Sequence, residues 1–443
     1  MHSVVVGLGK TGASCVRYLA KRGVAVSATD SRRAPPGLAD LGAAAASLNL
    51  RLGGFDLSLL DDASQLVISP GVSLKEPIAE AARERGIEIL GDIELFARAV
   101  RAPVIGITGT NGKSTVTTLV ARMAEAAGRR VLSGGNLGPP ALDLLDESTP
   151  DLYVLELSSF QLDTTSSLSL QGAVVLNVSA DHLDRYASVA EYADSKARIF
   201  SRASTIVLNA DDALVARMGE SHRHARVVTF SVQRTDADYA LSQSAGQTWL
   251  TRRGEKLLAT SRMKIQGLHN AANALAALAL GEAAGLPTAA MCAALETFGG
   301  LPHRSAWVAD IGGVRYIDDS KGTNVGATIA AVAGMPGPLV LIAGGEGKGQ
   351  DFAPLADAFR GKVRKAVLLG KDAAALAAVL AGVCALERVD SMAAAVQAAQ
   401  RSAQSGDTVL LSPACASLDM FRDYSQRGDV FAAAVRALEA TRP

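Results

Sequence analysis

Short apolar runs, each stopped by a glycine, an acid or an amide, recur along this 443-residue chain. The first covers residues 3–6 and is followed by Gly7-Leu-Gly-Lys-Thr-Gly12, a helical spacing through Lys21, and a second run, 25–29, that ends in Asp30. Residues 66–69 break at Pro70-Gly71, and 87–90 break at Gly91-Asp92. A second set comprises 104–107, 152–155 before Glu156, 174–176 before Asn177, and 205–208 before Asn209. A third comprises 314–317, 339–343, 366–369 and 408–411. Runs that are apolar at nearly every position, alternating with helix-like stretches such as 77–85 and 116–127, predict parallel strands buried on both faces by helices. The expected fold class is α/β in three domains. These are a Rossmann-like domain over 1–91, a central parallel-sheet domain over 92–299 with a small antiparallel addition at 233–255, and a Rossmann-like C-terminal domain over 300–443. The glycine- and proline-rich 298–304 reads as the hinge before the third.

Charge narrows the partners. Lys plus Arg equals Asp plus Glu at 44 each, so no long-range field draws nucleic acid or an acidic membrane surface, and small molecules are expected. Cys15, Cys292, Cys384 and Cys415 are scattered, which fits neither a disulfide framework nor a zinc site. The start of the chain has no basic segment leading into an apolar core, and the alanine-rich 270–284 carries Glu282 and reads as a packed helix. A cytoplasmic setting is expected.

The strongest chemical signal is Val104-Ile-Gly-Ile-Thr-Gly-Thr-Asn-Gly-Lys-Ser-Thr115. A buried strand that breaks into glycines and then Lys-Ser-Thr predicts a phosphate cradle, with backbone N–H groups turned inward and Ser114 or Thr115 opening the helix 116–127. Lys113 is expected to reach the terminal phosphates, and the adjacent hydroxyl to hold Mg²⁺. Between Gly106 and Gly112 stand five residues where the ordinary phosphate loop has four. Glu156 ends the next strand, where nucleotide-binding sheets place a carboxylate for Mg²⁺. Asn177, Asp181, His182, Asn209, Asp211 and Asp212 lie at further strand ends, and these polar tips are expected to converge on the Lys113 crevice, although capping a helix is the commoner duty of Asp or Asn there. In the third set the strand ends carry lysines and hydroxyls, among them Ser320, Lys321, Thr323, Lys348, Lys371, Ser412 and Ser417, a rim suited to a small dianion. Lys196, on an undirected helical pattern, reads from its pattern alone as a solvated lysine. The first loop, Gly7–Gly12 with Asp30, taken alone reads as NAD-binding, and Arg32 and Arg33 would suit an NADP phosphate. The same turn holds any diphosphate, including that of a UDP-sugar.

Taken together the pieces are more specific than either loop. Gly7-Leu-Gly-Lys-Thr-Gly12, Gly91-Asp-Ile-Glu-Leu-Phe96, Gly109-Thr-Asn-Gly-Lys-Ser-Thr115, Leu155-Glu-Leu-Ser-Ser-Phe-Gln-Leu162, Asp181-His-Leu-Asp-Arg-Tyr186, Leu301-Pro-His-Arg304 and Leu411-Ser-Pro-Ala-Cys-Ala-Ser-Leu-Asp419 resemble the Mur ligases of bacterial cell-wall synthesis over the whole chain. The resemblance is nearest to the branch that adds D-glutamate to UDP-N-acetylmuramoyl-L-alanine. It implies that the first domain binds the UDP part of the substrate, the central domain ATP and the third the amino acid. ATP would then activate a carboxylate as an acyl phosphate. ATP contacts are implied for Gly109, Thr110, Asn111, Gly112, Lys113, Ser114, Thr115, Asn270, Arg304 and Asp319. The UDP substrate would meet Lys10, Thr11, Asp30, Ser31, Arg32, Ser69, Gly71, Asn136, Ser158 and His182. D-Glutamate would meet Lys321, Thr323, Lys348, Ser417, Leu418 and Tyr424. Two Mg²⁺ ions are implied, held by Ser114, Glu156, His182 and Lys196, the last carbamylated by CO₂. Lys113, Glu156, His182 and Lys196 would be the catalytic set, in a protein acting as a monomer.

Asp318 stands where related chains can have asparagine, and Tyr424 where a phenylalanine can sit. The Asp-Asn-Pro-Arg motif of the diamino-acid branch is absent. A folylpolyglutamate synthetase, which lacks a UDP domain, an NAD-dependent oxidoreductase and a regulatory phosphate-loop NTPase are the competing readings.

Overall fold

The computed structural model describes residues 1–222, 225–265, 267–335 and 337–440. Among these the chain packs as two bodies. One is Met1–Val178 with Ala190–Arg262 and Ala272–Thr297; the other is Ser179–Val189 with Met263–Ala271 and Phe298–Pro443.

The first body holds two sheets. Its five-stranded sheet runs Asn49–Leu52, Ala25–Asp30, His2–Val6, Gln65–Ile68, Glu88–Leu90, with every neighbouring pair parallel. Chain order reverses at His2–Val6, and at such a switch point the carboxyl ends of two strands part and leave a crevice. Gly7 and Ser69 stand there, and the Ser69 hydroxyl donates to the Gly7 carbonyl (2.7 Å). Alternation divides each strand between two cores. Val5 packs with Leu8, Val16 and Leu19, whereas Val4 and Val6 pack with Leu66, Ile68 and Ile78. That is the doubly covered sheet that unbroken apolar runs require.

The larger sheet of this body orders Glu255–Ala259, Gln247–Arg252, Tyr239–Ser244, Arg226–Ser231, Ala203–Asn209, Leu170–Val175, Val104–Thr108, Leu152–Glu156, Val131–Gly135. Its first three strands pair antiparallel, the addition expected from the polar 233–255. Val104–Thr108 lies between two parallel neighbours and is buried throughout. Leu268–Ala283 is the packed helix anticipated for 270–284, with Ala274–Leu280 at most 1% exposed. No helix among the described residues is long and apolar enough to cross a membrane.

The second body holds one sheet, ordered Ala306–Ile311, Val314–Asp318, Thr408–Leu411, Leu339–Gly344, Val363–Leu369, Ala385–Arg388. Leu339, Leu341 and Ala343 face one core, and Val340 and Ile342 the other.

Strand-to-helix turns decide where side chains cannot go. An added Cβ on Gly12 would lie 1.9 Å from the Gly7 carbonyl oxygen and 2.8 Å from Ser69 Oγ, so the first helical turn packs on bare backbone. Gly12→Ala is expected to lower the thermal midpoint of the first body, by a cost in the range of about 1–3 kcal/mol for overpacking. A thermal melt of that variant indistinguishable from the wild type would contradict the close approach.

Candidate active site

The phosphate loop leaves the end of Val104–Thr108 through two glycines. Gly109 (φ +148°) and Gly112 (φ +85°) both occupy backbone conformations that side chains avoid, and a Cβ on Gly112 would reach within 2.4 Å of Asn273 Oδ1. The helix then begins at Lys113 and runs to Ala126, one to two residues earlier than an opening at Ser114 or Thr115. The reason is Gly112, whose left-handed conformation makes the turn in a single residue. Asn177, from the tip of the neighbouring strand, holds the loop. Its carbonyl accepts from Thr110 N–H (2.9 Å), its Oδ1 from Asn111 N–H (2.8 Å), and its amide donates to the Asn111 carbonyl (3.1 Å).

Charged and oxygen-bearing side chains gather beside this loop. Lys113 Nζ donates to the carbonyls of Gly109 and Thr110, both at 2.9 Å. Ser114 Oγ donates to Glu156 Oε2 (2.6 Å), and the Asn136 amide donates to Glu156 Oε1 (2.6 Å). Glu156 is 3% exposed, so both of its oxygens are spoken for in a buried place. Lys196 corrects the solvated reading. It is 1% exposed, its Nζ donates to the Gly109 carbonyl (3.1 Å), and it lies 4.2 Å from the centroid of the Tyr192 ring. Tyr192 and Lys196 are four apart on Val189–Ala197 and so share a face, which a pattern of apolar positions did not reveal.

Not every polar strand end joins them. Asp212 caps Ala213–Met218 through Leu214 and Val215 N–H and also accepts from Val178 N–H; Asp211 accepts from Val232 N–H; the Asn209 amide donates to the Leu176 carbonyl. These three brace neighbouring loops, the commoner duty of such residues.

At the first sheet, Asp30 is 1% exposed. Its Oδ2 accepts from Leu8 N–H (2.6 Å), and Arg32 grips both carboxylate oxygens at 2.7 and 2.9 Å. Burial alone would raise its pKa, but the hydrogen bonds from Arg32 and Leu8 outweigh it and hold the carboxyl below its ordinary range. The acid thus braces the glycine turn from within the chain. Lys10 Nζ donates to the Gly138 carbonyl (3.1 Å), and Ser158 caps Ser159–Asp163 in a capping box with Gln161. Thr11 is half-buried, and Ser31, Arg32 and Gly71 are exposed around the crevice.

His182, Asn270, Arg304, Asp319 and the residues expected for the dianion belong to the second body. There Lys321 Nζ lies 4.1 Å from the Tyr424 ring centroid, Ser417 is buried, and Leu418 is exposed. The Lys348 and Ser417 loops are joined by paired hydrogen bonds between Glu346 and Ala416. Arg427, 2% exposed, ties the Lys321 and Ser417 loops together through the Ser320 carbonyl (2.7 Å), Ser320 Oγ (3.0 Å) and the Cys415 carbonyl (3.1 Å). Pattern reading missed it, because Arg427 stands in the polar first turns of the helix Tyr424–Ala440, between Ser425-Gln426 and Gly428-Asp429, where an arginine ordinarily faces water. His182, His303, Ser305, Lys348 and Ala414 all have φ between +50° and +61°. Non-glycine residues held there cluster at functional loops. Among the described residues no three His, Cys, Asp or Glu side chains group so as to hold a metal.

Comparison with known proteins gives these loops a common context. Residues 1–91 match the Mur ligase MurD-like N-terminal domain, 107–281 the Mur ligase middle domain, and 303–415 the Mur ligase glutamate ligase domain. A UDP-N-acetylmuramoylalanine--D-glutamate ligase from Nitrosococcus oceani is 56% identical over 98% of this chain and 96% of its own, and one from Methylococcus capsulatus is 52% identical over 98% and 94%. The chain belongs to the Mur ligase family. The fold agrees with a solved pseudomurein peptide ligase type C from Methanothermus fervidus, at TM-score 0.65 and 19% identity over 99% of both chains.

One buried acid of this Mur ligase carries a pH signature. Asp319 accepts from Ser412 Oγ (2.8 Å) and Ser305 N–H (3.0 Å), yet burial pushes its carboxyl up to about 7 against those bonds. In an unfolded chain it titrates near 3.9, so between the two values the folded state holds the extra proton, and stability falls as pH rises from about 4 to about 7 and is level above. Asp319→Asn should lose less stability between pH 5 and pH 8 than the wild type in thermal melts; equal losses would count against a buried proton there.

Proposed function

We propose that this chain joins D-glutamate to UDP-N-acetylmuramoyl-L-alanine, with cleavage of ATP to ADP and phosphate, in the making of peptidoglycan precursors. The observation that carries it is the 56% identity to a relative of that name, running through all three domains. The match of residues 1–91 favours this reaction over folylpolyglutamate synthesis, and the enclosure of Asp30 by Leu8 and Arg32 disfavours a dinucleotide ribose.

A carboxylate is a poor electrophile. Its oxygen attacks the γ-phosphorus of ATP, the bond to the β–γ bridging oxygen breaks, and ADP leaves. The amine of D-glutamate then attacks the acyl carbonyl and loses a proton, and phosphate leaves with the bonding pair. Both steps are governed by positioning and charge neutralisation. Lys113, at the helix N-terminus with the loop N–H groups, is suited to the terminal phosphates, and Asn270, Arg304 and Asp319 to the rest of the nucleotide. Lys321 and Lys348 offer two cations for the two carboxylates of D-glutamate, with Thr323, Ser417, Leu418 and Tyr424 around them.

Magnesium prefers oxygen donors, and the touching Ser114 hydroxyl and Glu156 carboxylate fit it, with a carbamate on Lys196 as a further oxygen donor; His182 is the remaining ligand that the family resemblance implies. Bound there, it would neutralise phosphate charge. The carbamate has its own support. Lys113 and Lys196 both donate to the Gly109 carbonyl, which puts two ammonium groups about 6 Å apart or less; at an effective dielectric near 20 this costs about 3 kcal/mol if both are charged. Addition of the neutral Lys196 amine to CO₂, with loss of a proton, turns repulsion into attraction. One chain suffices for the chemistry, and we take the enzyme to be a cytoplasmic monomer.

Phosphate release from ATP is expected only when both UDP-N-acetylmuramoyl-L-alanine and D-glutamate are present; release that ignores either, or runs on a folate, would overturn the reading. Lys196→Ala should retain the wild-type circular dichroism spectrum and lose ligation. Near-normal turnover in that variant removes the carbamate from the mechanism.

A further inference from the structure

The motif Gly91-Asp-Ile-Glu-Leu-Phe96 touches none of the expected ligand positions, yet it is among the most buried polar stretches of the first body. Asp92 and Glu94 are 1% and 2% exposed. It follows directly on Glu88–Leu90, the last strand of the first sheet, and several of its residues meet the segment that leads out of the Glu156 strand. Gly91 N–H donates to the Thr164 carbonyl (3.3 Å), and a Cβ on Gly91 would come within 2.3 Å of Thr164 Oγ1. Glu94 accepts from Ser166 N–H (2.8 Å) and Ser167 N–H (3.0 Å). Phe96 meets Tyr153, on the Glu156 strand itself, edge to face with centroids 5.3 Å apart.

Asp92 makes the most consequential of these contacts. Its Oδ2 accepts from Gln161 Nε2 (2.9 Å), and Gln161 Oε1 in turn accepts from Ser158 N–H (3.0 Å) and Ser158 Oγ (3.1 Å). Gln161 is 2% exposed, so its amide has one orientation in which all three bonds form. Ser158 lies two residues beyond Glu156. Through this relay the end of the first sheet fixes the tip of the strand whose carboxylate meets Ser114 of the phosphate loop.

We propose that Asp92 is a positioning residue that, through Gln161 and Ser158, sets the register of the UDP-binding sheet against the ATP-binding loop. The idea rests on the proposed function, in which the first sheet presents the carboxylate and the loop on the neighbouring sheet presents the γ-phosphate. Transfer between two separately held groups is steeply sensitive to their alignment, and displacement by about 1 Å can cost about a hundredfold in rate. The phosphate loop stands on one sheet and Gly7, Asp30 and Ser69 on the other, and Ser158 is the one expected UDP-substrate contact within the relay, so disturbing the relay misaligns the reaction far more than it weakens binding. Asparagine has nearly the volume of aspartate and keeps an oxygen to accept from Gln161 Nε2, so it is the conservative variant.

The test uses Asp92→Ala, Asp92→Asn and Gly91→Ala in the full chain. Gly91→Ala disturbs the same docking while keeping the carboxyl, and so serves if Asp92→Ala does not fold. Dissociation constants for ATP and for UDP-N-acetylmuramoyl-L-alanine are measured separately, and transfer is read as β,γ positional isotope exchange in ATP without D-glutamate. Asp92→Ala and Gly91→Ala should slow exchange by about tenfold or more with both dissociation constants within about threefold of wild type, and Asp92→Asn should restore most of the rate. Wild-type exchange in Asp92→Ala, loss of exchange that merely follows loss of binding, or an Asp92→Asn as slow as Asp92→Ala would each overturn the proposal. A spin-label distance across the two sheets, broader in Asp92→Ala than in wild type, tests the register without relying on the reaction. Absence of exchange in the wild type would instead overturn the functional reading.

Discussion

The Gly109 carbonyl is the point on which two lysines end, and much of the first body follows from accommodating them. Lys113 comes from the helix that the glycine turn opens, Lys196 from a separate helix braced by Tyr192. A Cβ on Gly109 would press on Leu176 (2.9 Å) and one on Gly112 on Asn273 (2.4 Å). Gly109 and Gly112 have backbone torsions that leave the carbonyls and N–H groups uncovered, and Asn177 spends its carbonyl and both ends of its amide on keeping them so. The result is a patch of positive charge in a place with little water, which an anion relieves. Glu156, fixed by Ser114 on one oxygen and Asn136 on the other, sits beside that patch as the opposing charge.

A second constraint is alignment. A ligase that binds its reactants on different sheets gains nothing from tight binding unless the reacting atoms meet. The first body answers with buried contacts of several kinds across one junction: a carboxylate on an amide, a carboxylate on two backbone N–H groups, and an aromatic pair. Being polar and directional as well as apolar, they specify one register where apolar packing alone would tolerate sliding. The second body uses the same device at Arg427, whose three bonds gather loops from distant parts of the chain.

Much of this was legible in the sequence. Three sets of apolar runs specified three mainly parallel sheets, because a strand buried on both faces has no room for polar residues. Most central strands were found, although Arg226–Ser231 was not, and the runs 174–176 and 366–369 begin four and three residues late. The strands Asn49–Leu52, Val131–Gly135 and Ala385–Arg388 escaped, since they lie at sheet edges and are only partly buried, so their composition is mixed. Glycines at fixed offsets marked both turns, because only glycine takes those torsions.

Tertiary structure alone decided how polar side chains are used. Asp30 looked like a ribose ligand and is held by Leu8 and Arg32; Asp211 and Asp212 looked like site residues and brace loops; Lys196 looked solvated and is buried. The loop of five residues between Gly106 and Gly112 was visible as a string, and its early helix start was not. The physical reason is common to all. Backbone torsion and burial of whole segments depend on neighbours along the chain, which the sequence states directly. A hydrogen bond or an ion pair depends on what lies across space, and positions as far apart as Gly109 and Lys196 meet only once the sheet has formed.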